Sequence, residues 1–175
     1  MASVHDPTVA LDCAGADTSD GNVTDETARH VSTDAPTSYA VRASTTSPGR
    51  ARIMARDEPI DVDSSWSGEP SALPGPGEVL AAALAACLLK NLERLRVLVD
   101  FHYESAQVDV TARRRDMPPS FVEFEYEVRV TTEETEHRVE LVHTNLRKYG
   151  TVFNTLAASC DVHGRMVIVK PADHG

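Results

Sequence analysis

Two stretches of the chain have hydrophobic patterns that predict regular elements. In residues 122–130, apolar side chains alternate with Glu and Arg, the period of two expected for a strand with one buried and one solvent-facing side. Residues 78–95 are rich in Ala and Leu, with Glu78 at the start and basic residues near the end, which predicts a helix. Its first three turns are apolar on every side. We therefore expect this helix to lie at the centre of the fold, enclosed by protein all round.

Turn residues predict what precedes this helix. The β-prone residues 39–46 and 50–56 flank Ser47-Pro48-Gly49, a combination typical of a tight turn, and so predict a hairpin. Residues 57–77 are rich in Pro, Gly, Ser and Asp, and we expect a long connection there, pinned by the indole of Trp66.

The second half of the chain predicts two more strands and two helices around the strand at 122–130. A strand at residues 101–115, with an irregularity near Ala106, is expected to pair antiparallel with the strand at 122–130. A helix then begins with the capping box Thr131-x-x-Glu134 and ends near Gly150. A short helix at 151–158 and a strand at 162–170 follow. Strands in runs, broken by two main helices, predict an α+β fold.

Composition and charge narrow the class of protein. The 175 residues, 41% hydrophobic and 5% aromatic, suit one domain with an aliphatic core. A net charge of -10 disfavours nucleic acid and anionic membranes as partners. Residues 1–38 contain seven acidic residues and one basic residue, so we expect a disordered acidic tail before a single domain at 39–175. The longest apolar run, residues 79–89, is too short to span a membrane, and no signal peptide precedes it; we expect a cytoplasmic protein.

Cysteine and histidine spacing gives little sign of metal chemistry. Cys13, Cys87 and Cys160 lack the C-x-x-C spacing of a structural zinc site and are an odd number, which disfavours a disulfide framework. His137 and His143 share a helix without metal-ligand spacing, and we interpret them as surface residues. Nucleotide-, dinucleotide- and serine-hydrolase motifs are absent. The sequence therefore predicts no metal and no cofactor, and a functional cysteine would act as a thiol.

The run PGEVLAAALAAC at residues 76–87 resembles a motif of the OsmC/Ohr family, named for osmotically inducible protein C and organic hydroperoxide resistance protein. In that family a Pro/Gly-rich loop leads into a glutamate, and a buried helix of small residues carries a peroxide-attacking cysteine. The order of elements after residue 39 is similar too. The resemblance implies an OsmC-like fold, with antiparallel sheets around the buried central helix, and an intertwined homodimer whose subunits cover each other's helices.

The resemblance also implies roles for particular residues. Cys87 corresponds to the thiolate of a thiol-dependent peroxidase that reduces organic hydroperoxides in oxidative-stress defence. Because burial disfavours a thiolate, a positive partner is needed, and the family supplies an arginine from the N-terminal hairpin. Arg50 is the nearest positional match and Arg52 the alternative. Glu78 corresponds to the carboxylate that orients this arginine, although the best-defined peroxidases place theirs one residue earlier, where Gly77 stands.

One departure from the family leaves the function open. Peroxidase members carry a second, resolving cysteine where this chain has Gly150. Cys160 is a possible substitute but could equally be a packed core residue, and an external thiol reductant is the other route. An alternative function is a catalytically impaired scaffold that binds an apolar small molecule at the dimer interface. A stress protein whose main property is a stable dimer is a third possibility.

Overall fold

The computed structural model describes residues 36–66 and 71–171. Residues 1–35, which include Cys13 and most of the predicted tail, lie outside the described residues. The α+β fold is confirmed. In chain order, the elements of the described part are β1 (Arg42–Ser47), β2 (Arg50–Ala55), β3 (Glu58–Asp63), α1 (Pro76–Leu98), β4 (Ser105–Asp116), β5 (Pro119–Thr131), α2 (Glu136–Tyr149), α3 (Thr151–Ala157) and β6 (Asp161–Val169).

The N-terminal sheet is antiparallel, in the order β1-β2-β3. The predicted hairpin is confirmed, and Gly49 in its turn has a φ of 75°, in the left-handed region that favours glycine. The prediction of a connection beginning at residue 57 is wrong for β3, which pairs with β2. Its Ile60 and Val62 alternate with polar residues, and Pro59 is tolerated because β3 is an edge strand in this sheet.

The loop after β3 is held by a carboxylate rather than by an aromatic ring. Asp63 accepts hydrogen bonds from the backbone N–H and hydroxyl of Ser65, at 2.7 and 2.6 Å, and from the same two groups of Ser71, at 2.9 and 2.7 Å. These donors hold the pKa of Asp63 well below its usual range. The side chain of Trp66 is fully exposed, so the prediction that it pins the loop is wrong.

The C-terminal sheet has the order β4-β5-β6. The β4–β5 pair is the predicted antiparallel hairpin, whereas β6 runs parallel to β5, so this sheet is mixed. Its irregularity lies between Arg113 and Arg114 and not near Ala106. This shift in register brings Phe121 and Phe124, which strict alternation would place on opposite faces, to ring centroids 5.1 Å apart against the core.

The start of α2 differs from the predicted capping box. Thr131 stays in β5, and the N-cap is Thr135, whose hydroxyl accepts a hydrogen bond from the Arg138 N–H at 3.3 Å. Glu134 instead accepts a hydrogen bond from the backbone N–H of His102 at 3.0 Å. The carboxylate that the motif assigns to the cap therefore ties the start of α2 to the segment before β4.

The core lies between α1, the inner face of the C-terminal sheet, and α2 with α3. Leucines spaced by three or four residues bury one side of α1: Leu84, Leu88, Leu92 and Leu95. The opposite side of the same helix exposes four small or apolar side chains: Ala82, Ala83, Ala86 and Leu89. A single chain thus covers only part of the helix that the sequence predicts to be enclosed. No helix among the described residues is both long and apolar enough to cross a membrane.

Candidate functional site

Cys87 lies half-buried in the middle of α1, between its buried and exposed sides. Asn91, one turn later, donates a hydrogen bond from its amide nitrogen to the Cys87 carbonyl at 3.0 Å. The same nitrogen lies 3.6 Å from the Cys87 Sγ, and it is the sulfur's one hydrogen-bond partner among residues 36–66 and 71–171. An amide N–H is a donor suited to an anionic sulfur. Asn91 is not among the predicted site residues, although its i+4 spacing from Cys87 is a visible signal.

Gly150, at the junction of α2 and α3, faces the sulfur of Cys87. A Cβ atom built on Gly150 would lie 3.5 Å from the Cys87 Sγ, and 2.9 Å from both the Leu146 carbonyl oxygen and the Phe153 Cβ. The junction therefore packs its backbone so closely that any side chain there must displace a neighbour. The structure thus brings together Cys87 and the position at which the family's resolving cysteine is expected.

Glu78 acts in this chain as a helix cap. Its Oε2 accepts a hydrogen bond from the backbone N–H of Gly75 at 3.0 Å, which satisfies one of the orphan donors at the start of α1. Cys87 follows nine residues later, a rise of about 13 Å along the helix axis. Within one chain, Glu78 and the sulfur are too far apart to touch.

The two candidate arginines lie on β2 in the N-terminal sheet. Arg50 is exposed at the first position of the strand, in register with Asp63 of β3. Arg52 forms a two-pronged ion pair with Asp61, with Nε–Oδ1 at 2.7 Å and Nη2–Oδ2 at 3.0 Å, and this carboxylate raises the pKa of Arg52. Neither arginine hydrogen-bonds to Cys87 within the described part of the chain.

Cys160 follows α3 and packs against the core. Its thiol donates a hydrogen bond to the Leu156 carbonyl at 3.3 Å. Burial, with a further contribution from the charge of Asp161, raises the pKa of this thiol. The surroundings of Cys160 therefore favour the neutral form, which is a poor nucleophile.

An open cleft of about 1070 Å³ lies at the N-terminal end of α1, between the two sheets. Its walls are mainly apolar and include Ile53, Val62, Leu80 and Phe121, while Arg114 contributes a guanidinium. Cys87 is not among the residues that line it. The cleft has the size and lining of a small-molecule site, but in one chain it is separate from the sulfur.

The prediction that His143 is a surface residue is wrong. Its Nε2 lies 2.8 Å from the hydroxyl oxygen of Tyr126, which is 2% exposed. Burial, and after it the charge of Arg147, lowers the pKa of His143, while burial raises the pKa of Tyr126. Both groups are therefore neutral near pH 7, and the pair satisfies the one polar atom of a buried tyrosine.

The helix that carries Cys87 is packed on one sheet and preceded by a separate three-stranded sheet, as the resemblance to OsmC-like proteins leads us to expect. The sequence model of that family, described as OsmC-like protein, matches residues 68–163, more than half of the chain. This protein therefore belongs to the OsmC-like family.

Solved structures share the fold at low sequence identity. An OsmC-like protein from Mycoplasma pneumoniae is 18% identical with a TM-score of 0.66, covering 75% of this chain and 98% of that one. An organic hydroperoxide resistance protein OsmC from Legionella pneumophila is 15% identical with a TM-score of 0.60, covering 77% and 100%. OhrB of Bacillus subtilis, an organic hydroperoxide resistance protein, is 13% identical with a TM-score of 0.56, covering 73% and 98%. A search of curated proteins gives no match.

Proposed function

We propose that this protein is a thiol-dependent peroxidase that reduces organic hydroperoxides through Cys87. Membership of the OsmC/Ohr family links the chain to organic hydroperoxide resistance and redox chemistry at the level of the family. The observation that carries the proposal is the position of Cys87: half-buried on α1, 3.6 Å from an amide donor, and facing the α2–α3 junction at Gly150. A cytoplasmic location, expected from the sequence, is part of the proposal.

The proposed reaction is a displacement at the peroxide bond. The Cys87 thiolate attacks the terminal oxygen of ROOH, so that an S–O bond forms and the O–O bond breaks. The alkoxide leaves and takes up a proton to become the alcohol, and Cys87 is oxidised to a sulfenic acid. A nearby positive group favours the thiolate form of a cysteine, and no arginine of the described chain hydrogen-bonds to the Cys87 sulfur.

A second copy of the chain is the proposed source of that group. The exposed side of α1 is formed by Ala82, Ala83, Ala86 and Leu89, next to Cys87 in the sequence, and a symmetric partner could cover it. In such a homodimer, the partner's hairpin could bring an arginine to the sulfur. Arg52 is already paired with Asp61, which favours Arg50 for this role. Glu78, freed from its cap or contacting the partner, is the proposed orienting carboxylate.

The reductant is proposed to be an external thiol. Gly150 faces Cys87 but has no sulfur, and the Cys160 thiol is already donating to a carbonyl. An external thiol would attack the sulfenic acid to form a mixed disulfide and release water, and a second thiol would then free Cys87.

The first test follows the consumption of cumene hydroperoxide and of free thiol in the reduced full-length protein. We expect Cys87→Ser to abolish peroxide consumption and Cys160→Ser to retain it. If wild-type Cys87 reacts no faster than free cysteine, the proposal fails.

The arginine is tested with a matched pair of variants. We expect Arg50→Gln to lower the rate at neutral pH by about tenfold to a thousandfold, because an adjacent opposite charge shifts a pKa by about 1–3 units. Arg42→Gln, on the exposed strand β1, should change the rate little. Equal rates for both variants would remove Arg50 from the mechanism. Light scattering of the same samples tests the homodimer.

A second candidate function rests on the apolar cleft and on the glycine at position 150. In this alternative, catalysis is lost and the protein binds an apolar small molecule. The two functions predict different results in the peroxide and binding assays. The alternative predicts that wild-type and Cys87→Ser proteins bind an apolar fluorescent probe equally and that neither consumes peroxide.

A further inference from the structure

The outer face of the C-terminal sheet brings a histidine and two carboxylates together across two strands. β5 and β6 are parallel, with Glu123 in register with Asp161, and His163 lies two residues further along β6. Because side chains alternate along a strand, these three point away from the buried face that carries Phe124 and Val162. Asp161 and His163 are separated by one residue, but Glu123 lies far from both in the sequence, so no sequence motif predicts the cluster.

The ligand atoms of the three side chains are spaced as they would be around a metal ion. The His163 Nε2 lies 2.8 Å from the Glu123 Oε1 and 3.6 Å from the Asp161 Oδ2, and all three atoms lie within 4.8 Å of one another. A tetrahedral zinc ion with bonds of about 2.0–2.2 Å separates its ligand atoms by roughly 3.3–3.6 Å. The distance from His163 to Asp161 already fits this range, and the distance from His163 to Glu123 is shorter, so side-chain rotations that separate this second pair would admit an ion.

We propose that Glu123, Asp161 and His163 form a Zn²⁺ site on the outer face of the C-terminal sheet. One imidazole nitrogen and two carboxylate oxygens are a ligand set that zinc accepts, and three protein ligands leave a fourth position for water. The site is exposed, with His163 45% and Asp161 69% accessible, so the ion can enter from solvent.

The guanidinium beside the cluster, that of Arg113, is shared between two carboxylates, which reduces its repulsion of a bound cation. Arg113 of β4 contacts the second oxygen of Glu123 and lies 3.4 Å from the Glu125 carboxylate, leaving the Glu123 Oε1 directed at His163. Zinc would replace the proton that His163 shares with Glu123, so that binding releases a proton when the imidazole is charged. This site shares no residue with the peroxidase proposed at Cys87, and the two proposals stand or fall separately.

The test is calorimetric titration of the metal-free, reduced full-length protein with zinc chloride, which also reports binding to thiols and to the acidic N-terminal residues. We expect a tightest one-equivalent step that His163→Gln and Asp161→Asn each weaken by more than tenfold, since loss even of a group that only orients a ligand costs about 10–100-fold. Cys87→Ser should retain this step.

The matched variant is His102→Gln. His102 is also exposed, and its imidazole lies 3.1 Å from one carboxylate, that of Asp100, but among the described residues it belongs to no cluster of three ligand atoms spaced for a metal ion. We expect this variant to bind zinc as the wild type does. Circular dichroism in the presence of a chelator establishes that each variant is folded. If His163→Gln and Asp161→Asn bind zinc as tightly as the wild type, the cluster is an ion-pair network only and the proposal is overturned.

Discussion

The two sheets of this protein have three strands each and differ in their packing. In the C-terminal sheet, β5 alternates buried residues (Phe124, Tyr126, Val128 and Val130) with charged ones. In the N-terminal sheet, every residue of β1 is exposed, and Val62 is the one buried hydrophobic residue of its three strands. The difference lies in what each sheet rests on: the first has α1 and α2 beneath it, and the second has an open cleft.

This contrast shows which sheet is stabilised by packing within a single chain. A three-stranded sheet becomes independently stable when one face is packed, and the C-terminal sheet meets this condition within one chain. The N-terminal sheet relies on its turn, on the Arg52–Asp61 ion pair and on the hydrogen bonds of Asp63. Exposed ion pairs contribute little to stability because solvent and salt screen them. The N-terminal sheet is therefore the part that would gain most from the second copy of the chain that we propose.

The largest expected effect is a truncation in the core of the C-terminal sheet. Phe124→Ala should lower the free energy of unfolding by about 3–5 kcal/mol, because the ring is fully buried and its loss leaves a cavity. Ile60→Ala on β3, where the side chain is 40% exposed, should cost less than about 1 kcal/mol at low protein concentration. Urea unfolding measures both. A comparable cost for Ile60→Ala would contradict the contrast between the sheets.

A pair of glycine variants gives the next largest effect. A Cβ on Gly164 of β6 would lie 2.1 Å from the Tyr126 carbonyl oxygen, so Gly164→Ala forces β5 and β6 apart and should cost about 1–3 kcal/mol or more. A Cβ on Gly77 of α1 would lie 3.6 Å from the Phe121 ring, which is ordinary contact. Gly77→Ala should therefore be neutral or stabilise by up to about 1 kcal/mol through helix propensity. Thermal unfolding distinguishes them, and equal losses in the two variants would contradict the assigned packing.

The same contrast explains how far the sequence predicts the fold. The alternation in β5 is visible because this strand buries one side within its own chain, and α1 is visible because its residues are rich in Ala and Leu. β3 is missed because its alternation is short and includes a proline at its second position. Most of its residues are also exposed, so it has few apolar residues to mark a buried face. The parallel direction of β6 is missed because periodicity reports which face is buried and not which strand is the neighbour.

The candidate site is predictable only in part, for a similar reason. Cys87 and the glycine that faces it are found because both fall in regions that resemble the family's motifs. For Asn91 the signal in the sequence is its i+4 spacing from Cys87, whereas the Tyr126–His143 pair joins a strand to a helix and no sequence pattern marks such partners. The cluster of Glu123 with Asp161 and His163 depends on strand register, which the sequence leaves undetermined.

Acid should weaken the N-terminal region through Asp63. Its pKa is lower in the folded protein than the unfolded value of about 3.9, so its stabilising contribution is complete above about pH 4 and is lost as the pH falls below that value. Amide hydrogen exchange at Ser71, whose N–H bonds to Asp63, should accelerate relative to the β5 amides as the pH drops below 4. In Asp63→Asn this acceleration should be absent. An unchanged pH response in the variant would show that another group holds the loop.

The smallest expected effect lies in the C-terminal sheet. Here the free energy of unfolding falls as the pH rises, whereas the contribution of Asp63 is lost as the pH falls. The hydrogen bond to Glu123 raises the pKa of His163 above its unfolded value of about 6.5. Its contribution is therefore complete below about pH 6.5 and is lost as the pH rises through the folded pKa. Urea unfolding in a metal chelator should show a small fall in stability from pH 6 to pH 8 that Glu123→Gln reduces. Because both groups are substantially exposed, this change is much smaller than that of Phe124→Ala. A fall of equal size in the variant would mean that Glu123 does not influence the titration of His163. A reduced fall would show that the two groups are coupled, and this is the pair that a bound zinc ion would have to separate.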